Sequence, residues 1–322
     1  MVNDFFLTTW FLQGMKWVYS NVNSVFLTIL ICTVVLRAVT AFSDIKTRKS
    51  SADMQRVQPQ LQRIQKKYEK DPQRAQLEQR KLMKKEGVSM FSSCLPMLIT
   101  MPLFFCFIAA FRFWSYEEII KLLVSDNPEQ LFASFKFLWV NNIWQADNGL
   151  YPVIEEASKF LATKNLSSLI YLRDNPWVWE KLVELGIAAK TAVENGGAIS
   201  YTYSFLTTDA AFAAYNSALQ GCVNMYAGSN NGWFLFSVIS GGLNLLSAWQ
   251  TQRKQPVQTG QANSTNKMMM YMMPVMSFVI CLTSTTAFSL YWTISSILAI
   301  IINFILDKVM PKPDLAIGEE IK

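Results

Sequence analysis

Arg37 is the only charge in the apolar run from Val25 to Phe42. A guanidinium in such a run is suited to holding an anionic or strongly accepting group where water is scarce. Placing Arg at the centre of a membrane helix costs about 2.5–3.5 kcal/mol on insertion scales, which favours a bundle interior or a water-filled cavity. A second reading stays open at this point. Arg37 precedes Ser43 by six residues, about 9 Å along a helix, so its head group can also snorkel to the nearer interface. Other chemistries find little support. The chain has no histidine, the commonest general base and metal ligand, and no GxSxG, HExxH or P-loop pattern. No Asp or Glu falls within the long apolar segments, so an intramembrane acidic pair is excluded. The five cysteines, at 32, 94, 106, 222 and 281, lack CxxC spacing. Four lie in apolar segments and read as packing residues, and no disulfide framework is expected. The expectation is a non-enzyme with no cofactor and no metal.

The elements that must position Arg37 are membrane helices. Of 322 residues 51% are apolar and only 16% are charged. Ser89–Phe111 and Trp233–Trp249 carry no charge, and Met268–Leu306 is an uncharged block of 39 residues, about twice the ~20 that one span needs. That block folds back on itself, with Thr283, Ser284, Thr285 and Thr286 as its turn. Five spans result, and lipid requires them to be helices because it offers the backbone no hydrogen-bond partner. The expected class is an all-α membrane protein with five transmembrane helices. Its segments are an outer interfacial helix at 1–20, spans at 21–43, 89–114, 232–251 and two within 268–307, with a loop at 252–267 and a tail at 308–322.

Charge orients these spans. Residues 44–88 hold thirteen Lys or Arg against six Asp or Glu, whereas 115–232 holds seven against twelve. Positive loops stay in the cytoplasm, which predicts an N-out, C-in topology and explains the net charge of +6 without nucleic acid. Asp4 precedes the first lysine, Lys16, so a cleaved secretory signal is not expected. The aromatic-rich start, with Phe6, Trp10 and Trp17, reads as an interfacial helix or as an extension of the first span. Within 44–88, Met54, Val57, Leu61, Ile64 and Tyr68 recur at spacings of three and four, and Asp71-Pro72 supplies an N-cap and N1 proline for a second helix. Its stripe runs less regularly through Leu77, Leu82 and Met83. The two form a basic helical hairpin, with Pro59 expected to bend or break the first arm. Its basic faces suit a ribosome or anionic headgroups, or serve only to set topology.

Several stretches carry a specific likeness: LRAVTAF around Arg37, SSADMQRVQPQLQRIQKKYEKD in the hairpin, LMKKEGVSMFSSCLPMLITMPLFF into the second span, FLWVNNIWQAD after it, then MMMYMMPVMSF and FSLYW. On these motifs the chain resembles the YidC-type membrane protein insertases and their mitochondrial oxidase-assembly and chloroplast Albino relatives. The resemblance covers roughly 1–152 and 232–310. Thr100 stands where the family commonly has Gln, and Ala41-Phe42-Ser43 where it often has a proline. Within the extracytoplasmic region 115–231, the stretch at about 155–231 has no family counterpart. It contains helix-like runs near 177–194 and 208–225, and Trp177, Trp179 and Tyr201 are expected to pack onto the outer surface.

The resemblance implies an insertase and chaperone of integral membrane proteins, multi-pass in the bacterial cytoplasmic (inner) membrane, with a hydrophilic groove open to the cytoplasm. Arg37 would sit in that groove with Thr100, Asn244, Ser295, Ser296 and Asn303. Ser93, Tyr291 and Trp292 are groove or interfacial residues. The prolines Pro96, Pro102 and Pro274 would loosen the spans, and the methionines from Met268 to Met276 offer an adaptable apolar face. Implied partners are nascent membrane proteins, membrane lipids, and the ribosome and Sec translocase, with the chain itself a monomer. The rival reading is a small transporter or channel for an anionic solute, which would usually show internal repeats; none is visible between the halves.

Overall fold

The computed structural model describes residues 6–87, 95–195, 198–227, 229–252 and 261–309. The helices in chain order are α1 (Phe6–Val22), α2 (Val25–Lys67), α3 (Pro72–Lys85), α4 (Leu95–Val124), α5 (Pro128–Ala133) and α6 (Ala157–Leu161). Then come α7 (Ile170–Asp174), α8 (Pro176–Glu184), strands β1 (Ala188–Asn195) and β2 (Ala198–Phe205), α9 (Asp209–Asn224), α10 (Leu235–Gln252), α11 (Gln261–Thr283) and α12 (Thr286–Val309). The chain divides into two compact units: 1–29, 105–242 and 274–293 form the first, and 30–104, 243–273 and 294–322 the second. Helices α2, α4, α10, α11 and α12 supply residues to both.

In the first unit, α1 buries Thr8, Leu12 and Met15 while Phe6, Trp10 and Trp17 stand exposed, two aromatic and apolar faces set apart by helical spacing. Lys16 pairs with the fully buried Glu117 of α4, whose Oε1 also accepts the Tyr171 N–H at 3.1 Å. The core gathers Phe111, Trp114, Phe132, Phe160 and Phe288. A polar knot closes it. Asn231 accepts from the Asn142 N–H at 2.7 Å and donates to the Asn142 and Ala146 carbonyls at 2.9 Å. Buried Asp147 accepts from the N–H groups of Trp233 and Phe236, both at 2.7 Å, so its carboxylate satisfies donors at the start of α10 that the helix leaves unpaired. Gly232 is required beside it: φ is +98°, and a Cβ there would collide with the Asp147 carboxylate. The α11–α12 turn is held likewise, with the N–H groups of Thr286 and Ala287 donating to the Gln145 and Ile143 carbonyls, both at 2.9 Å.

The expectation of an all-α chain needs correction here. β1 and β2 form an antiparallel hairpin in which Ala188 faces Phe205 and Lys190 faces Tyr203. The helix expected over 177–194 ends at Glu184, and Gly186 follows at φ +74°, a left-handed conformation that terminates helices. Beyond it the residues alternate with a period of two, Ile199, Tyr201, Tyr203 and Phe205 falling on one face and Ser200, Thr202 and Ser204 on the other, which suits a strand. Trp179 is buried against Tyr203 and Phe205 with ring centroids at 5.4 and 5.1 Å. Trp177 and Tyr201, expected to pack, are more than half exposed.

In the second unit, α2 continues unbroken through residue 43, where the first span was expected to end, and through Pro59. Of the bend or break expected at Pro59, the break does not occur: the proline removes one N–H donor, but the helix runs on to Lys67. Asp71 caps α3 by accepting the Arg74 N–H at 3.1 Å, with Pro72 at its first position. Val57, Ala75 and Met83 are buried and Leu77 is exposed, so the α3 stripe passes through Ala75 in place of Leu77. The Met54 side chain lies outside the described residues. Arg56 and Glu86 pair at 3.3 Å.

Other boundaries shift as well. α4 extends ten residues past the expected end at 114, because Glu117, Glu118 and Lys121 find partners within the first unit. α11 begins at Gln261, inside the stretch expected to be a loop. Among the described residues, Thr286–Val309 is the one helix both long and apolar enough to cross a membrane, about 36 Å at 1.5 Å per residue. Val25–Ala41 and Tyr271–Thr283 are shorter apolar stretches.

Candidate functional site

Arg37 lies on the buried side of α2. Thr33 precedes it by one turn and is fully buried, and residues four apart share a helix face. From this position the Arg37 Nε–H donates to the Ser295 hydroxyl of α12 at 3.0 Å. The Asn244 side-chain amide of α10 donates to the neighbouring Ser296 hydroxyl at 3.3 Å. Both serines are buried, each 8% exposed. Three helices of the second unit thus place a guanidinium, a carboxamide and two hydroxyls around one short segment of α12. Arg37 itself is half-buried. Guanidinium carries five N–H donors in a fixed fork, and the bond to Ser295 uses one of them, so the group retains donors for a carboxylate or backbone carbonyl. The bond from Nε to Ser295 fixes one edge of the guanidinium fork.

Asn303 lies seven residues beyond Ser296, two turns along the same face of α12, and is half-buried. Thr100 belongs to α4, but its side chain lies outside the described residues, as does Ser93 altogether. Tyr291 and Trp292 fall in the first unit and are packed there. Tyr291 stacks on Phe107 with centroids 5.0 Å apart, and the Trp292 indole N–H donates to the Ser277 hydroxyl at 2.5 Å. Of the methionine run, Met272, Met273 and Met276 are exposed, and the side chains of Met268, Met269 and Met270 lie outside the described residues.

Two features escape a reading of single residues. Thr33 is a buried hydroxyl one turn from Arg37. In the first unit, Ser240 and Thr293 share a hydrogen bond at 2.8 Å and Ser237 is fully buried. The signal lies in spacing, because Ser237, Ser240, Asn244 and Ser247 recur at three and four along α10, as Ser289, Thr293 and Ser296 do along α12. Such stripes are the form in which small polar residues hold membrane helices together.

The sequence pattern of the 60Kd inner membrane protein family matches residues 17–313. Over 138 residues the chain is 30% identical to the membrane protein insertase YidC of Clostridium perfringens, covering 42% of this chain and 52% of that one. Over 119 residues it is 33% identical to the insertase of the same name from Clostridium tetani, covering 37% and 47%. Over 175 residues it is 40% identical to that of Oceanobacillus iheyensis, covering 52% and 63%. The matches span about half the length of these relatives.

Proposed function

The chain belongs to the 60Kd inner membrane protein family, and on that premise we propose that it is a membrane protein insertase working through a polar intramembrane groove around Arg37. The supporting observation is the convergence of Arg37 and Asn244 on Ser295 and Ser296 from separate helices. In this reading the chain crosses the bacterial inner membrane five times, N-terminus out and C-terminus in. Nascent membrane proteins are its substrates, and the 44–88 hairpin meets the ribosome or the Sec translocase on the cytoplasmic side.

The physical task is to lower the cost of carrying a hydrophilic tail partway across lipid. Hydroxyls and amides of the groove replace part of the tail's hydration. Arg37 attracts an acidic side chain with about 4 kcal/mol at 4 Å and an effective dielectric near 20, enough to retain the tail briefly without trapping it. The membrane potential then favours outward movement of an acidic tail by about 2.3 kcal/mol per charge per 100 mV. No bond of the substrate is made or broken.

The test reconstitutes the full chain in liposomes with a single-span substrate bearing an acidic N-terminal tail, reading protease protection of that tail. Wild type inserts the substrate, Arg37→Ala loses insertion by about tenfold or more, and Arg37→Lys retains most of it. Equal insertion by Arg37→Ala would remove the guanidinium from the mechanism. No insertion above empty liposomes by wild type would favour a holding chaperone.

A further inference from the structure

The first unit contains a cavity of about 290 Å³ that the groove reading does not use. Ile108 of α4 and Phe288 of α12 line it beside the polar groups of Tyr116, Gln145 and Ser284. Four charged residues line it, and two are already matched: Lys159 pairs with Glu156 at 3.0 Å. Arg112 of α4 and Glu155 remain. They feel each other's charge, yet among the described residues neither forms an ion pair within 4.0 Å. Glu155 is held in place through its backbone, whose carbonyl accepts the hydroxyl of fully packed Tyr215 at 2.9 Å. Burial pushes its carboxyl above the ordinary 4.5, with Arg112 and Lys159 pulling it back. The site thus presents an exposed guanidinium and a half-buried carboxyl, each without a close counter-ion.

A simple anion in this cavity would meet Glu155, and a simple amine would meet Arg112. A zwitterion satisfies both, and charge-assisted hydrogen bonds are the strong ones. The volume sits at the lower edge of small-molecule sites, about 300 Å³, which holds a headgroup and excludes a folded polypeptide segment. Ile108, Trp144 and Phe288 make part of the lining apolar, so a ligand with a hydrocarbon end is favoured over a wholly soluble one. We propose that this cavity binds a phospholipid headgroup bearing both a phosphate and a primary amine, as in phosphatidylethanolamine, with Arg112 on the phosphate and Glu155 on the amine. The proposal rests on the membrane placement given above, which sets this end of α4 at the outer leaflet, but is independent of Arg37.

The test is native mass spectrometry of the delipidated full chain in detergent, supplied with equimolar phosphatidylethanolamine and phosphatidylglycerol. Wild type retains phosphatidylethanolamine about tenfold over phosphatidylglycerol. Glu155→Gln, which keeps the side chain's shape, abolishes that preference. Arg112→Ala lowers retention of both lipids about tenfold, and Arg112→Lys restores most of it. Equal retention of the two lipids by wild type, a preference unchanged in Glu155→Gln, or a retention unchanged in Arg112→Ala overturns the proposal. A competition arm separates the sources of this chemistry: soluble phosphoethanolamine fails to displace the lipid if the proposal holds, and displacement at equal concentration overturns the lipid as ligand. Thermal unfolding of each variant in the same detergent distinguishes lost binding from lost fold. Because no insertion is measured, failure here leaves the insertase reading standing.

Discussion

Removing Lys16 should loosen α1 from the first unit. Glu117 is fully buried in side chain and Lys16 is 25% exposed, so the ammonium is the buried carboxylate's only ion-pair partner among the described residues. Breaking a buried pair by deleting one partner costs about 3–5 kcal/mol, because the remaining charge is uncompensated; partial exposure of Lys16 places the cost near about 3 kcal/mol. Lys16→Met keeps the apolar stem and isolates the charge. Glu117→Gln removes the opposite charge while its amide oxygen still accepts the Tyr171 N–H, now bound at 3.1 Å. The double variant should therefore be more stable than Lys16→Met alone, with a coupling of about 2 kcal/mol or more. Hydrogen exchange of the α1 amides in detergent reads the local opening free energy directly. Lys16→Met should accelerate that exchange roughly a hundredfold, since about 1.4 kcal/mol is tenfold. Exchange in Lys16→Met within threefold of wild type, or a double variant no more protected than it, would refute the reasoning.

Asp147→Ala should destabilise the first unit by at least about 3 kcal/mol, because two backbone N–H groups and the Trp139 indole lose their acceptor in a buried setting; a loss under about 1 kcal/mol in chemical unfolding would contradict this. Cys222 should resist thiol reagents at pH 8 until the chain is unfolded. Burial, with a further contribution from the Glu129 carboxylate, pushes its thiol up to about 11, leaving about a thousandth as the reactive thiolate. Glu155 should impose a pH dependence of definite sign. Its carboxyl is held above 4.5 in the folded chain by burial, so the folded state binds more protons than the unfolded and stability falls as pH rises from about 4.5 through the raised value. Glu155→Gln should flatten that slope, and a melting-temperature profile unchanged by the substitution would disprove the assignment.

The membrane class was legible from composition and uncharged runs alone, because lipid tolerates few charges and permits only regular backbone. The residues around Arg37 were legible in kind: Asn244, Ser295 and Ser296 stand out as polar residues in apolar helices. Their pairing was not legible, since which hydroxyl meets Arg37 depends on how α2, α10 and α12 are rotated about their own axes, and a shift of one residue turns a side chain by about 100°. The cap at Asp71 was also readable, because capping is local to a few residues.

Contacts between residues far apart in the chain set the rest. Asp147 and Asn231 look like loop residues until the fold brings residues 142–147 against 231–236. Glu117 looks like the polar end of a span, yet α4 continues through it and Lys16, a hundred residues earlier in the chain, meets it as a partner. The hairpin at 188–205 carried a local signal in its second strand alone, where Ile199, Tyr201, Tyr203 and Phe205 alternate with Ser200, Thr202 and Ser204 after Gly196-Gly197; the first strand, AAKTAVEN, does not alternate and fits a helix as readily. The amino-acid sequence by itself determined the environment, the apolar segments and the polar residues placed within them. Tertiary structure decided which of those residues meet, because burial and ion pairing are properties of neighbours that only folding supplies.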